Sequence, residues 1–265
     1  MDYIQVIVLS LIQGITEFLP VSSSGHLILP AQLLGWPDQG LVFDVAVHLG
    51  TLLAVVVYFR KDLVKLIHDW CYSFIGKGST ENSKLAWYLI FSTLPAVFFG
   101  LILKKTGLDE SMRSVAVITA TTLIFGLLLG WADLKSKRVI PLDKITLKQA
   151  LIIGFTQAIA LIPGTSRSGI TMTAALMLGF TRDAAARFSF LLSIPVIIGA
   201  GSLMITELAT TTATINWLLL ATGTAIAGIS AWLCVYFFMA FINRVGLLPF
   251  VVYRLLLGLV LLFLL

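Results

Sequence analysis

Two short segments gather the residues best suited to chemistry within otherwise apolar sequence. The first reads Glu17, Phe18, Leu19, Pro20, Val21, Ser22, Ser23, Ser24, Gly25, His26, and the second Pro163, Gly164, Thr165, Ser166, Arg167, Ser168, Gly169. In each, a proline stops one helix and a serine run supplies N-cap oxygens for the next. A helix N-terminus carries free backbone N–H groups and the positive end of the helix dipole, and both favour an anion. The second segment adds a cation, Arg167, suited to bidentate contact with phosphoryl oxygens. Two such termini facing each other predict a cradle for a diphosphate, with Ser22, Ser24, Gly25, Thr165, Ser166, Ser168 and Gly169 as its phosphate-binding residues. Small residues and hydroxyls also allow close helix packing in membranes. Packing does not explain Glu17, His26 and Arg167, because ionisable groups in apolar segments are costly and mark functional sites.

Ser10, Gln13 and Glu17 recur at i, i+3 and i+7, which turns one polar stripe of the entering helix toward the first segment. Two roles are open to Glu17, holding a divalent cation through a hard carboxylate oxygen or accepting a proton. Gln13, one turn away, offers an amide oxygen to the same metal site. An ordinary histidine titrates near neutral pH, which suits His26 to moving a proton. Three nucleophiles are open for phosphoryl transfer: a serine hydroxyl, the His26 imidazole and a metal-bound water. Ser23 is favoured, because it sits mid-segment among the free N–H groups and three positions before His26.

The elements that must position these residues are membrane helices. Of 265 residues, 58% are hydrophobic and 12% charged, and the mean hydropathy is +1.00, which excludes water as the solvent of the fold. Apolar runs at about 43–59, 85–103, 114–131, 188–206, 215–238 and 247–265 predict six transmembrane helices. Two further runs, about 3–19 and 149–162, end at Pro20 and Pro163 and are each followed by a segment of about half a membrane's length, so they predict broken, re-entrant helical hairpins. The fold class is therefore an all-α polytopic membrane protein in a single domain, 1–265. Between the first two spans, Leu63, Leu66, Ile67, Trp70 and Phe74 predict an interfacial amphipathic helix, with His68 on its solvated face and Cys71 in a loop.

A net charge of +5 suggests nucleic acid only until the basic residues are placed by membrane side. Arg60 to Lys84 (with Lys77), Lys135 to Lys148, Arg182, Arg187 and Arg244 fall on one side, against Lys104, Lys105 and Arg113 on the other. The rich side is expected in the cytoplasm, with both termini outside. The N-terminus lacks the cationic region of a signal peptide, so the first segment is expected to be retained. Cys71 and Cys234 form neither a disulfide framework nor a metal motif. Asp44 and His48, i and i+4 near the outer surface, are open to a second metal or lipid-headgroup contact, but read first as a helix-start carboxylate and an interfacial histidine. Arg254 reads as snorkelling to the cytoplasmic interface in a structural role.

An offset of 144 residues pairs Gln13 with Gln157, Ile15 with Ile159, Ser22 with Ser166, Ser24 with Ser168, and Gly25 with Gly169. Ala31, Leu34 and Gly35 pair with Ala175, Leu178 and Gly179. Three predicted spans, an odd number, separate the copies, so the second enters from the opposite face. The expectation is an inverted-topology repeat, approximately 1–110 and 145–265, whose broken helices meet near the midplane. Transporters and flippases of lipid phosphates or anions share that architecture and are the alternative class. What separates an enzyme from them is a Glu/His pair equipped for proton transfer.

In order and separation, Glu17 to His26 and Pro163 to Gly169 resemble the undecaprenyl-diphosphate phosphatase (bacitracin-resistance) family. The resemblance extends through Phe43 to Thr51 (FDVAVHLGT), Phe188 to Pro195 (FSFLLSIP) and Tyr253 to Gly258 (YRLLLG), nearly the whole chain. It implies a bacterial inner-membrane hydrolase that removes the terminal phosphate of undecaprenyl diphosphate with a divalent cation, Mg or Ca, and so recycles the lipid carrier for cell-wall synthesis and confers bacitracin resistance. By position it places the family's first motif on Gln13 and Glu17, its Ser-Gly-His loop on Ser22 to His26, and its essential arginine on Arg167. The family's first motif often has a second glutamate where this chain has Gln13. The sequence leaves a homodimer open.

Overall fold

A computed structural model of the chain describes residues 2–37, 39–75, 79–208 and 216–263. Lys77 and the expected span limits at 215 and 265 lie outside the described residues. The described chain is helical almost throughout. An N-terminal helix α1 (Tyr3–Thr16) is started by a capping box, in which Asp2 accepts from the Gln5 backbone and the Gln5 side chain accepts from the Asp2 backbone. It stops at Glu17, and Pro20 and Val21 make a tight turn into α2 (Ser23–Leu34). Then follow α3 (Gly40–Tyr58), α4 (Arg60–Ser73), α5 (Glu81–Thr106), the single-turn α6 (Leu108–Ser111) and α7 (Val115–Lys135). The second broken helix consists of α8 (Leu147–Ala158), a 3-10 turn over Ile159–Leu161, and α9 (Arg167–Met177). Three helices follow, α10 (Arg182–Leu208), α11 (Trp217–Val245) and α12 (Leu248–Phe263).

Five of these, α3, α5, α7, α10 and α11, are long and apolar enough to cross a membrane. At the sixth expected span, about 247–265, α12 starts at Leu248 after the turn at Gly246, and its described part is 16 residues long. Cys71 is exposed on α4 and not in a loop, because the helix begun at Arg60 continues to Ser73. His68 is exposed as expected. Asp69 accepts from His68, Asn82 and Thr80, which fastens α4 to the start of α5 and lowers its carboxyl pKa to about 2.

Packing crosses between the two halves of the chain. α1 lies on α11, α8 lies on α5, α11 also covers α3, α12 packs on α7, and α10 touches α3, α5 and α9. Close backbone approach makes this feasible: a Cβ at Gly50 on α3 would stand 2.3 Å from the Thr224 carbonyl oxygen on α11. Phe18, fully buried beside the first turn, meets Phe190 of α10 edge to face with ring centroids 5.4 Å apart, which anchors the turn in the core. Leu53, Phe98, Ile124, Phe237 and Val252 point outward and are exposed, as a lipid-facing surface requires. At the basic end, Arg182 forks onto buried Asp133 (2.6 and 2.9 Å), and Asp133 also accepts from the Leu247 N–H, joining α7, α10 and the start of α12.

Candidate active site

The two turns share an unusual cap. Ser22 (φ 77°, ψ 95°) and Ser166 (φ 71°, ψ 114°) are N-caps held at positive φ, a region that residues with a side chain rarely occupy. Each hydroxyl accepts from the N–H three residues on, Gly25 at 3.4 Å and Gly169 at 3.1 Å. Each also meets the serine two residues on, Ser24 at 3.3 Å and Ser168 at 3.2 Å. The turns touch. Ser168 donates to the Leu19 carbonyl at 2.9 Å, and a Cβ on Gly25 would lie 3.6 Å from the Gly164 Cα. Gly164 itself has φ 84°, and a Cβ there would stand 2.2 Å from the Thr121 hydroxyl, so only glycine fits.

Glu17 is the hub between them, 8% exposed. Its Oε2 accepts from the Ser23 hydroxyl at 2.6 Å and from Gln13 Nε2 at 3.0 Å. Its Oε1 accepts from Arg167 NH2 at 2.9 Å, an ion pair spanning the two turns. His48 Nε2 of α3 lies 3.9 Å from Oε2. A cavity of about 520 Å³ opens onto this group, lined by Glu17, Ser22, Ser23, Ser24, His48, Gln157, Ser166, Arg167 and Ser202 and otherwise by apolar residues of α3, α5, α10 and the 3-10 turn.

Of the expected residues, Glu17, Ser22, Ser23, Ser24, Ser166 and Arg167 line this cavity, and Gln13, Gly25, His26, Thr165, Ser168 and Gly169 are not among its lining residues. His26 turns the other way. A carbonyl has no proton to give, so Nδ1 donates to the Ser22 carbonyl (2.7 Å), and in the neutral ring Nε2 accepts from the Tyr253 hydroxyl (2.6 Å). His48, read from sequence as interfacial, instead reaches Glu17; its Nδ1 donates to the Asp44 carbonyl at 2.7 Å, leaving Nε2 toward the cavity. The available signal was a histidine inside an apolar helix. Gln157 was visible only as a repeat match.

Arg254 does not snorkel. It is fully buried, and its guanidinium donates to five backbone carbonyls: Pro20 of the first turn, Gly164 and Thr165 of the second, and Thr121 and Thr122 of α7. The turns leave carbonyl groups without helical partners, and one planar five-donor group satisfies them together. The same side chain explains why both turns keep one geometry.

For a divalent cation, the described residues contain no group of three or more His, Cys, Asp and Glu side chains close enough to hold one. The donors present, one carboxylate at Glu17 and the buried Gln13 Oε1, which lacks a partner among the described residues, are hard oxygens. They fit a cation bound by one carboxylate together with phosphoryl and water oxygens.

Helices and site together define a polytopic all-α membrane protein in which one buried carboxylate contacts a hydroxyl and a guanidinium carried at the starts of two helices. The family described as bacitracin resistance protein BacA matches residues 6–260, and the chain belongs to that family. Among its relatives, an undecaprenyl-diphosphatase of Teredinibacter turnerae is 58% identical over 261 residues, 98% of each chain. That of Chromohalobacter salexigens is 56% identical over 262 residues, 99% of this chain and 98% of its own, and that of Alteromonas mediterranea 55% identical over 262, with the same coverage.

Proposed function

We infer that this protein is an undecaprenyl-diphosphate phosphatase, a phosphoric anhydride hydrolase. It converts undecaprenyl diphosphate to undecaprenyl phosphate and orthophosphate, which recycles the carrier for cell-wall synthesis and gives bacitracin resistance. One observation carries the reading from the structure's side: the 2.6 Å contact of the Ser23 hydroxyl with Glu17 Oε2, beside Arg167 and two helix N-termini. That is a nucleophile with its base and an anion receptor. Family membership and relatives alike over nearly their full length supply the substrate.

In the mechanism we favour, Ser23 Oγ attacks the terminal phosphorus while its proton passes to Glu17 Oε2, and undecaprenyl phosphate leaves with the bridging oxygen. Glu17 gives that proton up to the departing lipid phosphate; water then attacks the phosphoserine, passing a proton to Glu17, which returns it to Ser23 Oγ as orthophosphate departs with the water's oxygen. Arg167 and the N–H ends of α2 and α9 neutralise the phosphoryl oxygens. His26, engaged at both nitrogens, holds the Ser22 turn, so the proton taken from Ser23 goes to Glu17. Glu17 and Gln13 are the residues that would hold Mg or Ca, which supplies further charge neutralisation when bound.

The reading includes an inverted-topology repeat. Its support is the identical Ser22 and Ser166 caps and the three long helices between the hairpins. The cavity is lined by the middle of α3 (Val45, His48, Leu49 and Leu52) and by residues 196–202 of α10, past that helix's midpoint on the side away from Arg182. With the basic loops cytoplasmic in an inner-membrane protein, it opens outward, where both termini also lie. The apolar lining suits a lipid tail arriving sideways from the bilayer.

Release of orthophosphate from undecaprenyl diphosphate by the purified, detergent-solubilised chain is the test. Binding of the lipid with no release would favour the carrier or flippase reading. Gel filtration with light scattering tests for a homodimer.

A further inference from the structure

Gln157 occupies in the second hairpin the place Gln13 holds in the first, and the two are used differently. Gln13 gives its amide N–H to Glu17. Gln157, near the end of α8, is 2% exposed and lines the cavity with Ser166 and Arg167. Neither its amide nitrogen nor its amide oxygen has a hydrogen-bond partner among the described residues. Arg167 pairs with Glu17 through NH2, and its NH1 is likewise buried without a partner among them. Folded proteins rarely leave buried donors unmade, because the desolvation cost is then uncompensated. An apolar side chain of equal volume would fill the position without that cost, so folding gives no reason for an amide there. Both residues line one cavity beside the start of α9, and their buried, unpartnered amide and guanidinium N–H groups lie just behind its wall, where an oxyanion would satisfy both.

We propose that Gln157 is a substrate-binding residue, whose Nε2–H together with Arg167 NH1 receives a phosphoryl oxygen of the bound lipid diphosphate. This rests on the phosphatase reading and assigns the second hairpin a binding role that Gln13, committed to Glu17, does not share. The N–H groups that a fold-supporting amide would spend on the protein are kept for the ligand. Removing the amide should therefore cost function and not stability.

The test compares Gln157→Met, of nearly equal shape, and Gln157→Glu with the wild type in the full-length detergent-solubilised protein. Wild-type orthophosphate release from undecaprenyl diphosphate is measured first, and no release there defeats the phosphatase reading itself. Given release, Gln157→Met should raise KM roughly tenfold to a hundredfold, the range for one hydrogen bond to a charged group. It should weaken inhibition by inorganic pyrophosphate in parallel and leave the thermal midpoint unchanged or higher. Gln157→Glu, which sets a carboxylate against the phosphate, should bind more weakly still. The proposal is overturned by an unchanged KM in Gln157→Met, by a lowered midpoint or loss of folding in both variants, or by magnesium-dependent tighter binding in Gln157→Glu. That last result would make Gln157 a cation ligand.

Discussion

The turn at Ser22 and the turn at Ser166 have one backbone and two chemistries. Both hold a serine at positive φ, both cap the glycine three residues on, and both give carbonyl oxygens to Arg254. Yet the first carries the carboxylate and the hydroxyl in contact with it, Glu17 and Ser23, and the second carries the guanidinium, Arg167. The proposed contact of Gln157 extends the second list. Duplicated backbone supplies the same N–H array to each side of an anion, and side chains then divide the labour of reacting and holding. Strained serines at both turns persist because Arg254 and the inter-turn contacts over-determine them.

Breaking the reacting side should have the largest effect. Glu17→Gln removes the base and the partner of Arg167, and kcat for phosphate release should fall roughly 10²- to 10⁴-fold, the range for general base catalysis; steady-state kinetics check it. On the holding side, Arg167→Lys keeps the charge but loses the fork, so turnover should fall about tenfold or more; wild-type turnover in that variant would remove the fork from the account. Arg254→Met strips both turns at once. It should lower the thermal midpoint markedly, since several buried carbonyls lose donors at about 1–3 kcal/mol each, and Arg254→Lys should restore only part of it.

Smaller changes sharpen the comparison. Ser22→Ala and Ser166→Ala should each cost about 0.5–2 kcal/mol of local stability as lost caps, and by similar amounts because the cap geometry is shared. Hydrogen exchange at the α2 and α9 N-termini reads this, and unequal protection would show that the turns are not equivalent. The smallest effect belongs outside both turns, at Asp69. Its depressed pKa gives a contribution that is complete above the usual carboxylate range and is lost only as pH falls through about 2. Asp69→Asn should therefore leave the pH dependence of turnover between 5 and 8 unchanged, while exchange near Thr80 to Ser83 rises.

Much of this was legible in the sequence because the signals are local. Proline followed by serine and glycine fixes a helix stop and start, and Glu17 and Arg167 are conspicuous in apolar surroundings. The contact between them spans 150 residues and could only be expected from the repeat. His48 and Arg254 were misplaced because their positions depend on which helices pack together: α3 brings His48 to Glu17, and α12 lies on α7 and carries Arg254 beneath both turns. Neither packing leaves a mark in spacing or composition. The orientation of His26 toward Tyr253 was hidden for the same reason, since one helical turn of separation from Ser23 does not say which way the ring faces.

The claim that the first turn reacts while the second holds is tested most directly by the kinetics of Ser23→Ala on undecaprenyl diphosphate. The account predicts a kcat at least about 10³-fold below wild type, with lipid binding nearly unchanged, because the lost hydroxyl acts only in the transition state. A kcat close to wild type would contradict it, leaving Ser23 as a helix-start hydroxyl and water activated by Glu17 as the nucleophile.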